Sequence, residues 1–369
     1  MFEKKLIMFM PFIGGGGVEK NLYAISNHLA DKVDVTICTL SKEKKNKFNR
    51  NIKFLSPKYK INKNINIRLK YVFCLLTLFK FLIQNKNSLV FAFQANIYCI
   101  LICKLLGISI IVRSNSSPTG WYHNILKKTL YKIIISKADI VIVNSLKFKK
   151  QMENKFKIKV KCIYNPLNKK EIFYKSKKGI KDKFFKGKKY LKILNIGRLT
   201  EQKDQITILK ALKVLRKKNI KFKALILGSG VEESNLKNYI QNNNLKNFIK
   251  IKNFIENPFG IMSQADLFIL SSKYEGLPNV LLEASSLKKF IISTDCPTGP
   301  KEILCNGKGG YFFEIGNYNQ LYNKILSYIR NKKKISEKID YSYNQLERFN
   351  SKKNLNEYYK LIKKFLVLN

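Results

Sequence analysis

Only two histidines, His28 and His123, and no Asp-x-Asp dipeptide occur in this chain. A histidine-rich metal site is thereby excluded, no aspartate clamp for a nucleotide-bound metal is present, and any chemistry is expected to run without a metal. The cysteines, at positions 38, 74, 99, 103, 162, 296 and 305, form no Cys-x-x-Cys pair. Most sit in apolar runs, where a free thiol packs as a small hydrophobe, and a reducing cytosol is the expected compartment. Long hydrophobic runs are lacking too. The most lipophilic stretches, 71–83 and 97–112, are interrupted by Lys80 and Lys104 and fall short of the about 20 residues that span a bilayer, so no transmembrane helix is expected. Residues 1–10 run into a glycine tract and do not read as a cleaved export signal.

Acidic residues are scarce: Asp plus Glu number 24 against 71 Lys plus Arg, a formal net charge of +47. Only seven of those cations are arginine, at 50, 68, 113, 198, 216, 330 and 348. An excess of lysine, asparagine and isoleucine is what an AT-rich genome produces. Even so, so positive a field concentrates anionic partners, whether phospholipid surfaces, lipid diphosphates or nucleic acid, without choosing among them.

What is present supports packed cores. Hydrophobic residues at 45% and aromatics at 12% exclude global disorder, and 369 residues suit two domains. Residues 5–10 read as a strand, Gly14, Gly15, Gly16 and Gly17 as a loop, and 18–31 as an amphipathic helix that turns Leu22, Ile25 and Leu29 inward. Four glycines let backbone N–H groups approach a phosphate or a sugar, although Glu19 stands where a dinucleotide fingerprint needs its third glycine. An ordinary tight turn would use the same residues. Strands at 34–40, 88–93, 108–112 and 138–143, with helices at 97–107 and 125–135, predict a parallel, doubly wound sheet. Residues 41–70 are strongly basic with Phe48, Ile52, Phe54, Tyr59 and Ile61 interleaved, which suits either an anionic membrane surface or a solvated loop.

The polar loop after 108–112 carries Arg113, Asn115, Trp121 and His123 at a strand's carboxyl end, where open α/β sheets bind ligands. Trp121 and His123 could equally cap the helix that follows. The first domain is expected to close at Pro166, and 167–189 reads as a lysine-rich, poorly periodic connection. The second sheet opens at 191–196, and its loop, G-R-L-T-E-Q-K-D, holds Arg198 and Lys203, two cations able to neutralise a diphosphate. Strand 222–227 ends in Gly228-Ser229-Gly230, and strand 249–251 leads to Asn253-Phe254-Ile255.

Residues 265–295 form the unit around which the rest is organised. Leu267–Leu270 is an apolar strand, Pro278-Asn279 opens a helix, and 290–294 is the next strand. Glu275 falls in the loop and Glu283 about a turn into the helix. Ionised carboxylates only accept hydrogen bonds, so such a pair suits sugar hydroxyls and repels phosphate.

Those glutamates, with seven residues between them inside S-x-x-E-G-L-P-N-V-L-L-E-A, resemble the retaining glycosyltransferases of family 4. The resemblance implies an α/β GT-B fold, two Rossmann-like doubly wound parallel-sheet domains with a cleft between them. Residues 317–369 read as amphipathic helix rich in Tyr and Lys; domains are expected at 1–166 for the acceptor and 190–345 for the nucleotide sugar, with the last helix, about 346–369, crossing back onto the first. By resemblance Glu275 lies against the transferred sugar, Glu283 holds the ribose, and Arg198 and Lys203 bind the donor's phosphates. Gly276, Leu277, Pro278, Asn279, Val280, Gly228, Gly230, Phe254 and Ile255 are the further donor contacts it implies. It assigns Gly14, Gly15, Gly16, Gly17, Asn115 and His123 to the acceptor and phosphate side, although relatives often place a histidine directly behind the strand where this chain has Ser114-Asn115.

The implied activity is retaining, metal-independent transfer of a hexose or N-acetylhexosamine from a nucleotide-diphosphate sugar, expected to be a UDP-sugar, to a glycan or lipid-linked glycan in bacterial surface polysaccharide assembly. No cofactor is implied. Expected partners are the donor, the acceptor and an anionic membrane surface rather than nucleic acid, with the protein cytoplasmic and peripheral at the inner face of the membrane. Two rivals stand: a GT-B nucleotide-sugar epimerase, which the scarcity of histidine disfavours, and a basic membrane- or nucleic-acid-binding protein on a degenerate scaffold.

Overall fold

The computed structural model describes residues 4–57, 66–115, 125–187 and 189–367. The chain divides into two units, Met1–Pro166 with Ser351–Asn369, and Leu167–Asn350.

In the first unit, strands β1 (Lys5–Phe9), β2 (Val35–Cys38), β3 (Lys53–Leu55), β4 (Ser88–Ala92), β5 (Ser109–Arg113), β6 (Ile140–Val143) and β7 (Val160–Cys162) make one parallel sheet in the order β3-β2-β1-β4-β5-β6-β7. Helices α1 (Gly17–Ala30), α2 (Ile67–Gln84), α3 (Asn96–Leu105), α4 (Ile125–Ile135) and α5 (Leu146–Phe156) connect the strands. Alternation along the strands splits the core in two. Ile7, Val90, Ile110 and Val112 meet α2 to α5, whereas Leu6, Met8, Leu89 and Phe91 meet α1 and the C-terminal helix Ser351–Val367. Both sets are buried, which is why these strands read as unbroken apolar runs rather than as alternating ones. Each fully buried side chain of this kind contributes about 1.5–3 kcal/mol.

In the second unit, helix α6 (Lys169–Lys178) precedes β8 (Leu191–Ile196), α7 (Gln205–Lys217), β9 (Phe222–Leu227), α8 (Glu233–Asn242), β10 (Ile249–Lys252), α9 (Phe259–Gln264), β11 (Leu267–Leu270), α10 (Asn279–Ser286), β12 (Phe290–Thr294), α11 (Gly299–Ile303), β13 (Tyr311–Phe313), α12 (Tyr318–Arg330) and α13 (Lys332–Asn344). Its sheet is again wholly parallel, ordered β10-β9-β8-β11-β12-β13. Ile193, Ile226, Ile269 and Ile292 form one face of its core with α7, α8 and α12. Strand order reverses between β8 and β11, so the connections after these two strands leave in opposite directions and open a crevice at their carboxyl ends.

Three local expectations differ from the structure. Phe48 and Ile52 are buried in the first unit, and Phe48 packs edge-on to Tyr23 at 4.7 Å and to Phe54 at 5.3 Å between ring centroids. The described apolar residues of 41–57 therefore belong to the core and are not offered to a membrane. Tyr59 and Ile61 lie outside the described residues, as do Lys58, Lys60 and Lys63. Residues 167–189 are not a bare connection either: Asn168 caps α6 through its Oδ1, which accepts from Glu171 N at 3.1 Å, and α6 packs against α9. Its lysines hide a narrow inward stripe of Ile172 and Ser176, too short to register as a period. The single amphipathic stretch expected at 317–369 is broken at Asn331 and again by the 3₁₀ turn Gln345–Phe349.

Candidate active site

The crevice of the second unit holds an ion pair that the sequence reading did not anticipate. Lys203, in the connection after β8, and Glu275, in that after β11, meet with Nζ 2.5 Å from Oε1. Ser272 Oγ donates to the same carboxylate oxygen at 2.7 Å. Glu275 is buried, and only 17% of the lysine side chain is exposed, so the pair is held away from most water and is worth more than a surface pair. Neighbouring backbone is tied in the same way: Ser271 Oγ donates to Lys203 O at 2.7 Å, Gln202 Nε2 to Tyr274 O at 2.9 Å, and Lys273 N to Gln202 O at 2.8 Å. The two connections thus form one rigid edge.

Thr298, which the sequence reading passed over, completes that edge. It is fully buried at φ 81° and ψ −110°, a conformation costly for a β-branched residue, and its Oγ1 donates to Glu275 O at 2.7 Å or Gly276 O at 3.0 Å. Next to it, a Cβ on Gly299 would collide with Gly276 O. Nothing in sequence periodicity marks such a threonine, because its role depends on a backbone angle. Cys296 lies close by, and its thiol is pushed up to about 12 by burial and by the charge of Glu275.

Gly228 and Gly230 were expected to admit a ligand. The structure gives them a prior duty: a Cβ at 228 would strike Gly197 O, and one at 230 would strike Leu199 O. Leu199 N in turn donates to Ser229 O at 3.0 Å, so the β9 turn seats the connection that carries Arg198. Arg198 itself is exposed, with its carbonyl held by Gln205 Nε2 at 3.0 Å. Glu283 is buried in α10; Gly276, Leu277 and Pro278 are buried before it, and Asn279 and Val280 are half-buried. Phe254 is exposed and Ile255 half-exposed after β10. Lys203 and Glu275 are thereby brought into direct contact, and Arg198 stands on the same connection as Lys203.

In the first unit the glycine loop is already occupied by its own chain. Gly14 N donates to Glu19 Oε1 at 3.3 Å, and a Cβ at Gly16 would stand 2.8 Å from Glu19 Oε2. The missing side chains of this loop make room for a carboxylate, which repels phosphate rather than inviting it. Gly15 is exposed and Gly17 begins α1. Asn115 is engaged internally: its Oδ1 accepts from Arg113 Nη1 and its Nδ2 donates to Phe93 O at 2.8 Å. Arg113 is completely buried and donates further to Tyr358 Oη at 3.0 Å and Asn165 Oδ1 at 2.5 Å. A cleft of about 420 Å³ opens beside these residues, lined among others by Gln94, Asn96, Tyr98, Ser114 and Asn115. His123 and Trp121 lie outside the described residues. His28 is half-buried on α1, where burial and Lys32 lower its pKa. Among the described residues no cluster of His, Cys, Asp and Glu could hold a metal ion.

The chain is similar to known glycosyltransferases over most of its length. The model of glycosyl transferases group 1 matches residues 176–345, and that of glycosyltransferase family 4 matches residues 15–171. A Campylobacter jejuni N-acetylgalactosamine-N,N'-diacetylbacillosaminyl-diphospho-undecaprenol 4-alpha-N-acetylgalactosaminyltransferase is 25% identical over 363 residues, covering 89% of this chain and 91% of its own. An uncharacterised glycosyltransferase of Methanocaldococcus jannaschii is 36% identical over 208 residues, so this chain spans 49% of that relative's length and 53% of its own. Among solved structures, a glycosyltransferase of Rickettsia africae superposes with a TM-score of 0.78 at 18% identity, covering 100% of both chains. Anabaena HepE in complex with UDP superposes at 0.76 and 16% identity, covering 98% of this chain and 100% of that one.

Proposed function

This chain belongs to the family 4 glycosyltransferases and has the GT-B fold, and on that premise we propose that it moves a hexose or N-acetylhexosamine from a UDP-sugar to a lipid-linked glycan, with retention and without a metal, during assembly of a bacterial surface polysaccharide. The observation that carries the reading is the buried contact between Lys203 and Glu275 at the crevice of the second sheet. The name of the Campylobacter relative supports a diphospho-lipid acceptor, and the Anabaena complex supports UDP.

In this mechanism the second unit holds the donor. Arg198 and Lys203 face the diphosphate, replacing a metal with fixed cations, each charge-assisted contact being worth about 1.5–3 kcal/mol. Glu275 has its Oε1 fixed by Lys203 and Ser272, and presents Oε2 to hydroxyls of the transferred sugar, while Glu283 takes those of the ribose. The bond from the anomeric carbon to the phosphate oxygen breaks, the acceptor oxygen forms the new bond on the same face, and the acceptor's proton passes to the leaving diphosphate. No protein nucleophile is required; positioning and charge stabilisation supply the rate. The first unit takes the acceptor, and the protein works peripherally at the inner face of the cytoplasmic membrane.

The experiment is a screen of UDP-sugars against a diphospho-lipid-linked glycan, read by UDP release and by the anomeric configuration of the product. Turnover with a retained anomer is the expected result. Absence of UDP release with every donor, or an inverted product, would overturn the assignment.

A further inference from the structure

Helices α2, α3 and α4 lie side by side on one face of the first sheet, α2 packed on α3 and α3 on α4. Their inner positions are those of any core helix: Leu78 and Leu82, Cys99 and Cys103, Tyr131 and Ile135 are buried. Their outer positions should then be polar, as on a helix with a solvated face. They are not. On α2, Leu69, Val72, Phe73 and Leu76 are exposed at helical spacing. Tyr98, Leu101 and Leu105 repeat the pattern on α3, and Leu126, Leu130 and Ile133 on α4. Leu105 is 77% exposed and Leu126 76%, so these are whole side chains in water rather than edges of the core. Single exposed leucines need no explanation, but three adjacent helices with apolar outer stripes form a continuous surface of the kind that binds something.

The charge on this surface names the partner. None of the three helices contains an Asp or a Glu, while Arg68, Lys80, Lys128 and Lys132 stand exposed among the apolar positions and Lys104 is paired with Asp139 at 2.9 Å. Lys80 falls on the outer stripe of α2 itself, one turn beyond Leu76. A second copy of the chain would set like charges against like, with no carboxylate in these helices to compensate. An anionic bilayer offers both an apolar layer and a plane of phosphates at the depth that lysine heads reach when their stems lie along apolar surface.

We propose that the outer face of α2, α3 and α4 is the surface by which the first unit docks on an anionic lipid bilayer, its leucines in the headgroup and acyl boundary and its lysines at the lipid phosphates. Since no helix among the described residues is long and apolar enough to cross a membrane, the docking is taken as reversible and interfacial. It deepens the reading of a lipid-linked acceptor and rests on it, because a protein held at the bilayer meets a substrate confined to that plane.

The test is co-sedimentation of the full chain with phosphatidylcholine vesicles, with and without phosphatidylglycerol, for the wild type and for the triple variant Leu76→Glu, Leu101→Glu, Leu130→Glu. All three side chains are exposed, and circular dichroism checks that the variant is folded. Wild type should bind only the phosphatidylglycerol vesicles, less as salt rises, and the variant should lose about tenfold or more of that binding. Equal binding by both proteins would overturn the proposal. So would sedimentation velocity showing a wild-type dimer that the variant abolishes while neither binds vesicles, which assigns the face to a second copy. UDP release with detergent-dispersed acceptor is measured alongside. A variant that turns over in detergent but not with acceptor in vesicles supports the docking face, whereas UDP release without vesicle binding by the wild type removes the face and leaves the catalytic reading standing.

Discussion

Lys203 Nζ and Glu275 Oε1 lie 2.5 Å apart, although their residues come from connections after different strands, 72 positions apart in the chain. Removing the lysine leaves a buried carboxylate with Ser272 as its remaining hydrogen-bond partner on that oxygen. Lys203→Ala should therefore lower stability by about 2 kcal/mol or more as well as abolish turnover. Arg198→Ala, on an exposed side chain, should leave the unfolding midpoint unchanged and cut kcat about 100-fold or more. Thermal unfolding and UDP release separate the two; a Lys203→Ala protein as stable as the wild type would show that the pair is not a structural member of the edge.

Thr298 should act through position rather than contact. Its hydroxyl reaches the carbonyls of Glu275 and Gly276, so Thr298→Val should lower kcat about tenfold, near 1.4 kcal/mol, with little change in KM, and Thr298→Ser should restore it. If valine and serine behave alike, the hydroxyl does not set the carboxylate.

Gly230→Ala tests the seat beneath Arg198. The new methyl would strike Leu199 O and push the connection outward, raising KM for the donor far more than it disturbs the core. Unchanged donor affinity in the folded variant would show that the connection yields without consequence.

Turnover is expected to persist in EDTA and to gain nothing from added Mg²⁺ or Mn²⁺, since the fixed cations Arg198 and Lys203 supply the charge. Loss of activity in EDTA that either ion restores would overturn the metal-free mechanism.

Alkaline pH should destabilise the fold. Burial pushes Cys103 and Cys296 up to about 12 from an ordinary value of 9.0. Between those values the folded thiols keep protons that the unfolded chain has released. The stability they contribute is complete below pH 9 and is lost as pH rises toward 12, at about 1.4 kcal/mol per pH unit for each thiol. Urea midpoints across that window measure it, and a flat profile would contradict the burial of these thiols.

The strands were legible because both faces of each sheet are buried, so that runs such as Leu267–Leu270 could hardly be anything else. Arg198, Lys203, Glu275 and Glu283 were legible as a spaced motif, but which of them would touch was not, since contact between Lys203 and Glu275 depends on β8 and β11 being neighbours. Gly228 and Gly230 were legible as places of close approach, but that protein backbone at 197 and 199 stands against them was not. The glycine loop hid its own occupant, because a carboxylate five residues on is not a pattern that any period reveals. Of the basic stretch 41–70, Phe48 and Ile52 turn inward, and 58–65 lies outside the described residues. Lysine is so common here that its density marks no surface, and the exposed leucines of α2, α3 and α4 carry the signal instead.

The hydrogen bond from Arg113 to Tyr358 joins residues 245 apart, and Tyr358, Leu361 and Ile362 fill the same core as β1 and β4. During synthesis on the ribosome, the first 166 residues emerge long before the helix that covers one face of their sheet. The whole intervening unit, whose sheet and core lie within Leu167–Asn350, can fold while its predecessor still waits for Tyr358 to accept from Arg113 Nε. In the cell, the domain translated first is thus the one completed last, and a ribosome stalled anywhere before residue 351 leaves an open apolar face for chaperones to shield.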